Sequence, residues 1–251
     1  MIKENYYDGL IAEWYDDWLK ERRDDVAYYS EFFKSFSGRV LELACGTGRI
    51  LLPIAKSGTK IDGLDSSVDM LKRLGAKVLE MGLPSIDTFH QSMVNFNLPK
   101  KYDAAFISSG SFQLVISDDD VMKCLKSIQN HLADHGFLIF DIFIPWDAIR
   151  AGKMESFRVT RDNSRADGTR CIVQEKFEID LAKQIQNSVF KYEIYSENLL
   201  TKSIIGNFDL RWYWEDEMLN ILEHSGFSSV EMLTGSPLYQ KGKWFVFKAY
   251  H

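Results

Sequence analysis

Glu42, Ala44, Gly46 and Gly48 stand at alternate positions inside VLELACGTGRI, a carboxylate followed by three small residues where an apolar stretch ends. Small side chains let a backbone approach a bound molecule closely, and a helix that follows directs its positive N-terminal end at anionic groups. Asp65 closes the later stretch KIDGLD and offers two carboxylate oxygens to a pair of neighbouring hydroxyls, the need of a ribose. On its own Asp65 would serve equally well as a helix cap. A dinucleotide loop would carry Gly or Ala three positions beyond Gly48, where Leu51 stands, and a phosphate-cradling loop would follow Gly48 with Lys, where Arg49 stands. Glu42 before the turn suits a ligand that carries an ammonium group.

These residues need elements to hold them. RVLELA (39–44) is a short buried strand and residues 49–57 a helix stopped by Gly58. KIDGLD (60–65) is a second strand, with Ser66 and Ser67 placed to cap the helix that follows. IDTFHQ and DAAFISS are strands three and four. SDDDVMKCLKSIQNHLAD is a helix with three Asp at its positive end, and GFLIFDIFI (136–144) is a nearly continuous apolar fifth strand. Alternating strands and helices predict an α/β fold, a parallel sheet covered on both faces. After Pro145 the period becomes two, which predicts an antiparallel β insert over 151–210, before helical spacing and two strands return in 211–251. Residues 1–38, amphipathic and rich in Tyr, form a helical cap ahead of the 39–150 core.

A chain of 251 residues, 45% hydrophobic, can bury a large core, and a net charge of −6 argues against nucleic acid as a partner. The one basic run, LKERRDD, is neutralised by Glu21, Asp24 and Asp25. Three scattered Cys and five His make no metal-type cluster. The first residues lack the order of a leader peptide, and no apolar run reaches about 18 residues, so a cytoplasmic protein without membrane contact is expected.

At this point the chain resembles the class I S-adenosylmethionine-dependent methyltransferases, in the small-molecule branch with a β-rich insert before the last helix. VLELACGTGR is similar to their first motif, IDGLDSSVDML to the second, FHQSMVNF to the adenine-side segment, and YDAAFISSGSFQLV to the fourth strand and its loop. LRWYWEDEMLNILEHSGF resembles the start of their last helix, and YYDGLIAEWYDDW their Tyr-rich N-terminal helix. The resemblance implies a Rossmann-like seven-stranded sheet and S-adenosylmethionine as cofactor, leaving as S-adenosylhomocysteine. It further implies that Ala44, Gly46 and Gly48 hold the methionine part, with Glu42 and Ser108 near its ammonium. Asp65 would bind the ribose, Ser66 and Met70 would line the adenine, and Gln91, Ser92 and Met93 would contact its far edge. Ala44 replaces the commoner Gly, and Ser92 stands where an Asp usually accepts the adenine amino hydrogen. Met70 and Met93 would serve equally as core residues.

Methyl transfer asks the protein to align a nucleophile and exclude water. Tyr15, with Tyr7 two turns earlier on the same face, is the candidate aromatic beside a sulfonium, and Arg211 the candidate partner for an acidic group of the substrate. The aromatic insert would roof a small organic acceptor or form a homodimer contact. The loop after strand four, SSGS, lacks the Asn/Asp-Pro-Pro-aromatic motif of base-amino methylation and a carboxylate for a metal-assisted site. What remains is metal-independent N- or O-methylation of a small molecule. The competing roles are methylation of a protein or RNA, and a non-catalytic cofactor-binding or dimerising module.

Overall fold

A computed structural model describes residues 6–20 and 24–251. Residues 1–5, and Glu21, Arg22 and Arg23 of the basic run, lie outside the described residues. Helices α1 (Leu10–Trp18) and α2 (Asp24–Phe33) lead into strand β1 (Arg39–Leu43), helix α3 (Leu51–Lys56), strand β2 (Lys60–Asp65), helix α4 (Val68–Glu80), strands β3 (Thr88–His90) and β4 (Tyr102–Ile107), helix α5 (Asp118–His131) and strand β5 (Leu132–Phe143). A short helix, α6 (Trp146–Ala151), introduces four long strands, β6 (Lys153–Ser164), β7 (Arg170–Asp180), β8 (Ile185–Ser196) and β9 (Leu199–Arg211). Helix α7 (Glu215–His224) and strands β10 (Ser229–Met232) and β11 (Trp244–Tyr250) close the fold.

Strands β1 to β5 pair in parallel and β10 and β11 complete a seven-stranded mixed sheet in the order β10-β11-β5-β4-β1-β2-β3. Because β1 lies between β2 and β4, the strand order reverses there, and the connections leaving β1 and β4 part to open a crevice above their carboxyl ends. Successive side chains alternate across the sheet: Val40 and Ile139 pack with Tyr29, Phe33 and Ile54 on one face, whereas Leu41, Leu138 and Phe140 pack with Phe112, Trp212 and Leu222 on the other. Ser67 and Ser117 cap α4 and α5, their hydroxyls accepting the Met70 and Asp120 N–H groups.

Strands β6 to β9 form a separate antiparallel sheet. Its inner face is covered by α1: Leu10, Ile11 and Trp14 bury against Cys171, Val173, Tyr192 and Ile194. Each fully buried large apolar side chain contributes about 1.5–3 kcal/mol, so this third core holds the first helix firmly to strands far along the chain. Helix α3 is shorter than the 49–57 expected. Gly48 turns the chain at φ +81°, and Pro53 has no N–H to bond the Arg49 carbonyl, so Arg49 and Ile50 stay in a turn. Strand β5 starts earlier than residue 136, running directly out of α5.

Candidate active site

The glycine loop turns through three alternate left-handed residues, Ala44 (φ +56°), Gly46 (φ +53°) and Gly48 (φ +81°). The two glycines do different things. A Cβ on Gly46 would meet only the Tyr15 ring edge, at 3.8 Å, so the loop there is open. A Cβ on Gly48 would lie 2.4 Å from Leu74 Cδ1, so the packing of the loop on α4 also requires glycine there.

Asp65 ties the loop to the next helix. Its Oδ2 accepts the Gly46 N–H at 2.8 Å, and its Oδ1 accepts the Ser67 N–H at 2.8 Å. The Ser66 N–H also bonds this carboxylate, which lines the crevice. Burial pushes its pKa above the ordinary carboxylate value, against the pull of the Ser67 and Gly46 N–H groups. Glu42 is deeper. Its Oε1 sits 3.5 Å from the Ser108 hydroxyl, and its buried Oε2 has no hydrogen-bond partner among the described residues. Burial holds this carboxyl well above its usual range; Arg49 opposes and Asp65 adds to that, and the Leu51 N–H pulls it down without reaching Oε2.

The loop after β4 is fixed by residues the sequence reading passed over. Asp141, fully buried in β5, accepts the N–H groups of Ser109 (3.0 Å) and Gly110 (2.9 Å) and the Tyr29 hydroxyl (2.7 Å). Arg49 is bidentate to Asp25 at 2.7 and 2.6 Å and also donates to the Ser109 hydroxyl at 2.8 Å. Together these bonds hold Ser108 over Glu42. A lone Asp inside the apolar run GFLIFDIFI was the available signal for Asp141.

Helix α1 lies over the glycine loop. Thr47 donates to Asp16 at 2.6 Å, Lys77 pairs with Asp16 at 2.6 Å, Ser67 donates to Asp8 at 2.5 Å, and the Gly9 N–H donates to Asp69 at 2.9 Å. Tyr15 stands above Gly46 and meets Tyr7 edge-on at 6.1 Å. Burial, with Tyr15, Tyr192 and Asp65 nearby, holds the Tyr7 phenol well above its ordinary pKa, so it stays protonated.

A cleft of about 340 Å³ brings Tyr7, Ala44, Asp65, Ser66, Ser92 and Met93 together. Its far wall comes from Leu114, Val115 and Ile116 after β4, and from Asn207 to Asp209 of β9, where Phe208 belongs to the aromatic insert expected to roof the acceptor. Tyr15, Glu42, Gly46, Gly48 and Ser108 lie around the glycine loop without lining this cleft, and Met70, Gln91 and Arg211 do not reach it either. Met70 is buried, turned inward one helical turn before Leu74. Gln91 spends its amide on the Asn97 backbone, at 3.1 and 2.9 Å. Arg211 is committed to Asp118, Glu217 and the Ile116 carbonyl, with its guanidinium over the Tyr213 ring, and so pins α5 and α7 to the end of β9. Among the described residues no three His, Cys, Asp or Glu side chains converge as a metal site.

A family profile described as a methyltransferase domain matches residues 40–136, the stretch that carries the glycine loop, Asp65 and Ser108. Over that stretch the chain is similar to a methyltransferase domain. A putative methyltransferase of Bacillus subtilis (strain 168) is 30% identical over 137 residues, covering 54% of this chain and 52% of that protein. The chain spans about half the length of the curated relatives it matches first. An S-adenosylmethionine-dependent methyltransferase from Clostridium acetobutylicum ATCC 824 shares the fold at a TM-score of 0.74 and 19% identity, covering 95% of this chain and 96% of that one. A sugar N-methyltransferase from Streptoalloteichus sp ATCC 53650 superposes at a TM-score of 0.72 and 18% identity, over 100% and 98% of the two chains. S-adenosylmethionine is the cofactor of this methyltransferase family. The buried Glu42 oxygen, unpartnered among the described residues beside an open glycine loop, fits a ligand with an ammonium group, and the Asp65 carboxylate facing the cleft fits neighbouring hydroxyls.

Proposed function

We propose that this methyltransferase-family protein moves a methyl group from S-adenosylmethionine to a nitrogen, or secondarily an oxygen, of a small molecule, without a metal. The observation that carries the reading is the cleft itself: Asp65 and Ser66 form one side, and Tyr6, Tyr7 and Phe208 close it down to about 340 Å³, a space for small molecules. The superposable sugar N-methyltransferase supports nitrogen as the receiving atom.

The bound cofactor supplies an electrophilic methyl group on a sulfonium. In this reading Glu42 and Ser108 face the cofactor's ammonium, and the backbone at Ala44 and Gly46 holds its amino-acid part. Asp65 takes the ribose hydroxyls, while Ser66, Ser92 and Met93 meet the adenine. In the same reading the Tyr7 and Tyr15 rings meet the sulfonium, a cation–π contact that would contribute about 0.5–2 kcal/mol. Alignment of the acceptor's lone pair with the methyl carbon can contribute about 7–11 kcal/mol. With Tyr7 held protonated, an amine that arrives with its own lone pair suits the site better than a hydroxyl that must lose a proton. An amine acceptor would form its N–C bond as the C–S bond broke, that bond's electron pair remaining on sulfur, and the resulting ammonium would give its proton to solvent.

Titration calorimetry with S-adenosylmethionine, followed by transfer of its labelled methyl group to a panel of amines and phenols, tests the proposal. A protein that binds no S-adenosylmethionine would sink it. Val159 and Ile205 stand 60% and 65% exposed on one cross-strand row of the insert's outer face, which supports a homodimer through that face. Sedimentation would decide that point.

A further inference from the structure

We propose that Arg161 selects the acceptor, binding the carboxylate or phosphate of an amine whose body enters the aromatic chamber between α1 and the insert sheet. This rests on the methyl-transfer reading and adds the chemical class of the acceptor to it.

Arg161 lies opposite Val173, Val173 opposite Tyr192, and Tyr192 opposite Ile204, one row across four antiparallel strands. Opposed residues share a face, and Val173 and Tyr192 are buried against α1, so Arg161 stands on the α1-covered face at the edge strand, where its side chain lines the chamber while staying exposed to solvent. Its guanidinium carbon is 5.7 Å from the centre of the Trp18 ring, which in turn stacks on Tyr192 at 5.4 Å. Arg165, four residues on, is bound by Glu13 and Asp17, whereas Arg161 has no carboxylate partner among the described residues.

Below it lies a chamber of about 110 Å³, walled by Tyr15, Trp18, Phe190 and Tyr192 and sharing Tyr6, Tyr7 and Phe208 with the main cleft. The two spaces have opposite polarity. The cleft presents Asp65 and Asp209, and the chamber presents a guanidinium. An acceptor with a cationic or amine end and an anionic end matches that order, its amine toward the cleft and its anion toward Arg161. Aromatic faces suit a sugar or arene ring between the two, and a guanidinium fork suits carboxylate and phosphate alike.

The test uses matched pairs that differ only in the anion: glucosamine 1-phosphate against glucosamine, tyrosine against tyramine, and 3-aminobenzoate against aniline. Each is titrated into the full chain with and without saturating S-adenosylhomocysteine, by calorimetry. The expected result is that one anionic member or more binds about tenfold tighter than its neutral partner, and that Arg161→Gln erases the difference while Arg161→Lys keeps part of it. Carboxylate and phosphate sources separate by which pair discriminates. If Arg161→Gln leaves the preference intact, or if no pair discriminates, the proposal is overturned. It is also overturned if Arg161→Gln weakens S-adenosylhomocysteine itself, because the residue then serves the cofactor's own carboxylate. A protein that refuses S-adenosylhomocysteine yet discriminates pairs through Arg161 loses the methyl-transfer reading and keeps this anion site.

Discussion

The carboxylate of Asp65 accepts the backbone N–H of Gly46 at 2.8 Å, so the residue that ends the second strand also holds down the loop that follows the first. One side chain thereby shapes the loop and faces the cleft. Asp65→Ala strips an acceptor from two buried N–H groups. It is expected to lower stability by about 2 kcal/mol and S-adenosylmethionine affinity by about a hundredfold. Asp65→Asn keeps the shape and one acceptor oxygen and is expected to fall between. Urea unfolding and calorimetry measure the two effects separately.

Glu42 links cofactor binding to protons. Its carboxyl titrates above the ordinary 4.5 when no ligand is present, because burial penalises the charge. A raised folded value means that its contribution to stability is fully present below pH 4.5 and is lost as pH rises through the raised value. Placing an ammonium beside it favours ionisation, so binding S-adenosylmethionine releases a proton, read as an enthalpy that changes with buffer. Glu42→Gln is expected to abolish that release, weaken the cofactor, and raise the melting temperature of the ligand-free protein at pH 8. A release that persists in the variant would place the proton elsewhere.

Asp141 accepts three hydrogen bonds in a fully buried site. Asp141→Ala leaves the Ser109 and Gly110 N–H groups and the Tyr29 hydroxyl without it, at a cost of about 3 kcal/mol or more. Tyr29→Phe removes one donor and is expected to cost about 1 kcal/mol. Equal losses for the two variants would refute the staple role.

The pair Arg49–Asp25 is closed from water, with side chains 15% and 2% exposed. Arg49→Met alone is expected to cost about 3–5 kcal/mol, whereas Arg49→Met with Asp25→Asn should recover most of that, since the penalty is an uncompensated charge. A double-mutant cycle by chemical unfolding checks the recovery.

Local chemistry made the strands, caps and glycine turn legible. Val40 to Leu43 and Ile139 to Ile142 are apolar except for Glu42 and Asp141 and hold no turn residue, and Ser67 and Ser117 cap helices α4 and α5. The antiparallel insert showed in its period of two. What escaped the sequence depended on distant partners. Gln91 looks available until Asn97 folds back onto it, and Arg211 until Asp118 and Glu217 arrive from two other elements. The cleft wall at Leu114 to Ile116 and Asn207 to Asp209 joins residues nearly a hundred positions apart, and no periodicity records such a meeting.

Helix α1 is bolted to partners made late: Arg165 reaches Glu13 across 152 positions, and Trp14 packs among residues of β7 and β8. On the ribosome, helix α1 must therefore wait with its apolar stripe uncovered until β7 and β8 have emerged. Helix α1 is made well before its seat on β7 and β8, and a nascent chain halted before residue 195 would present that stripe to chaperones.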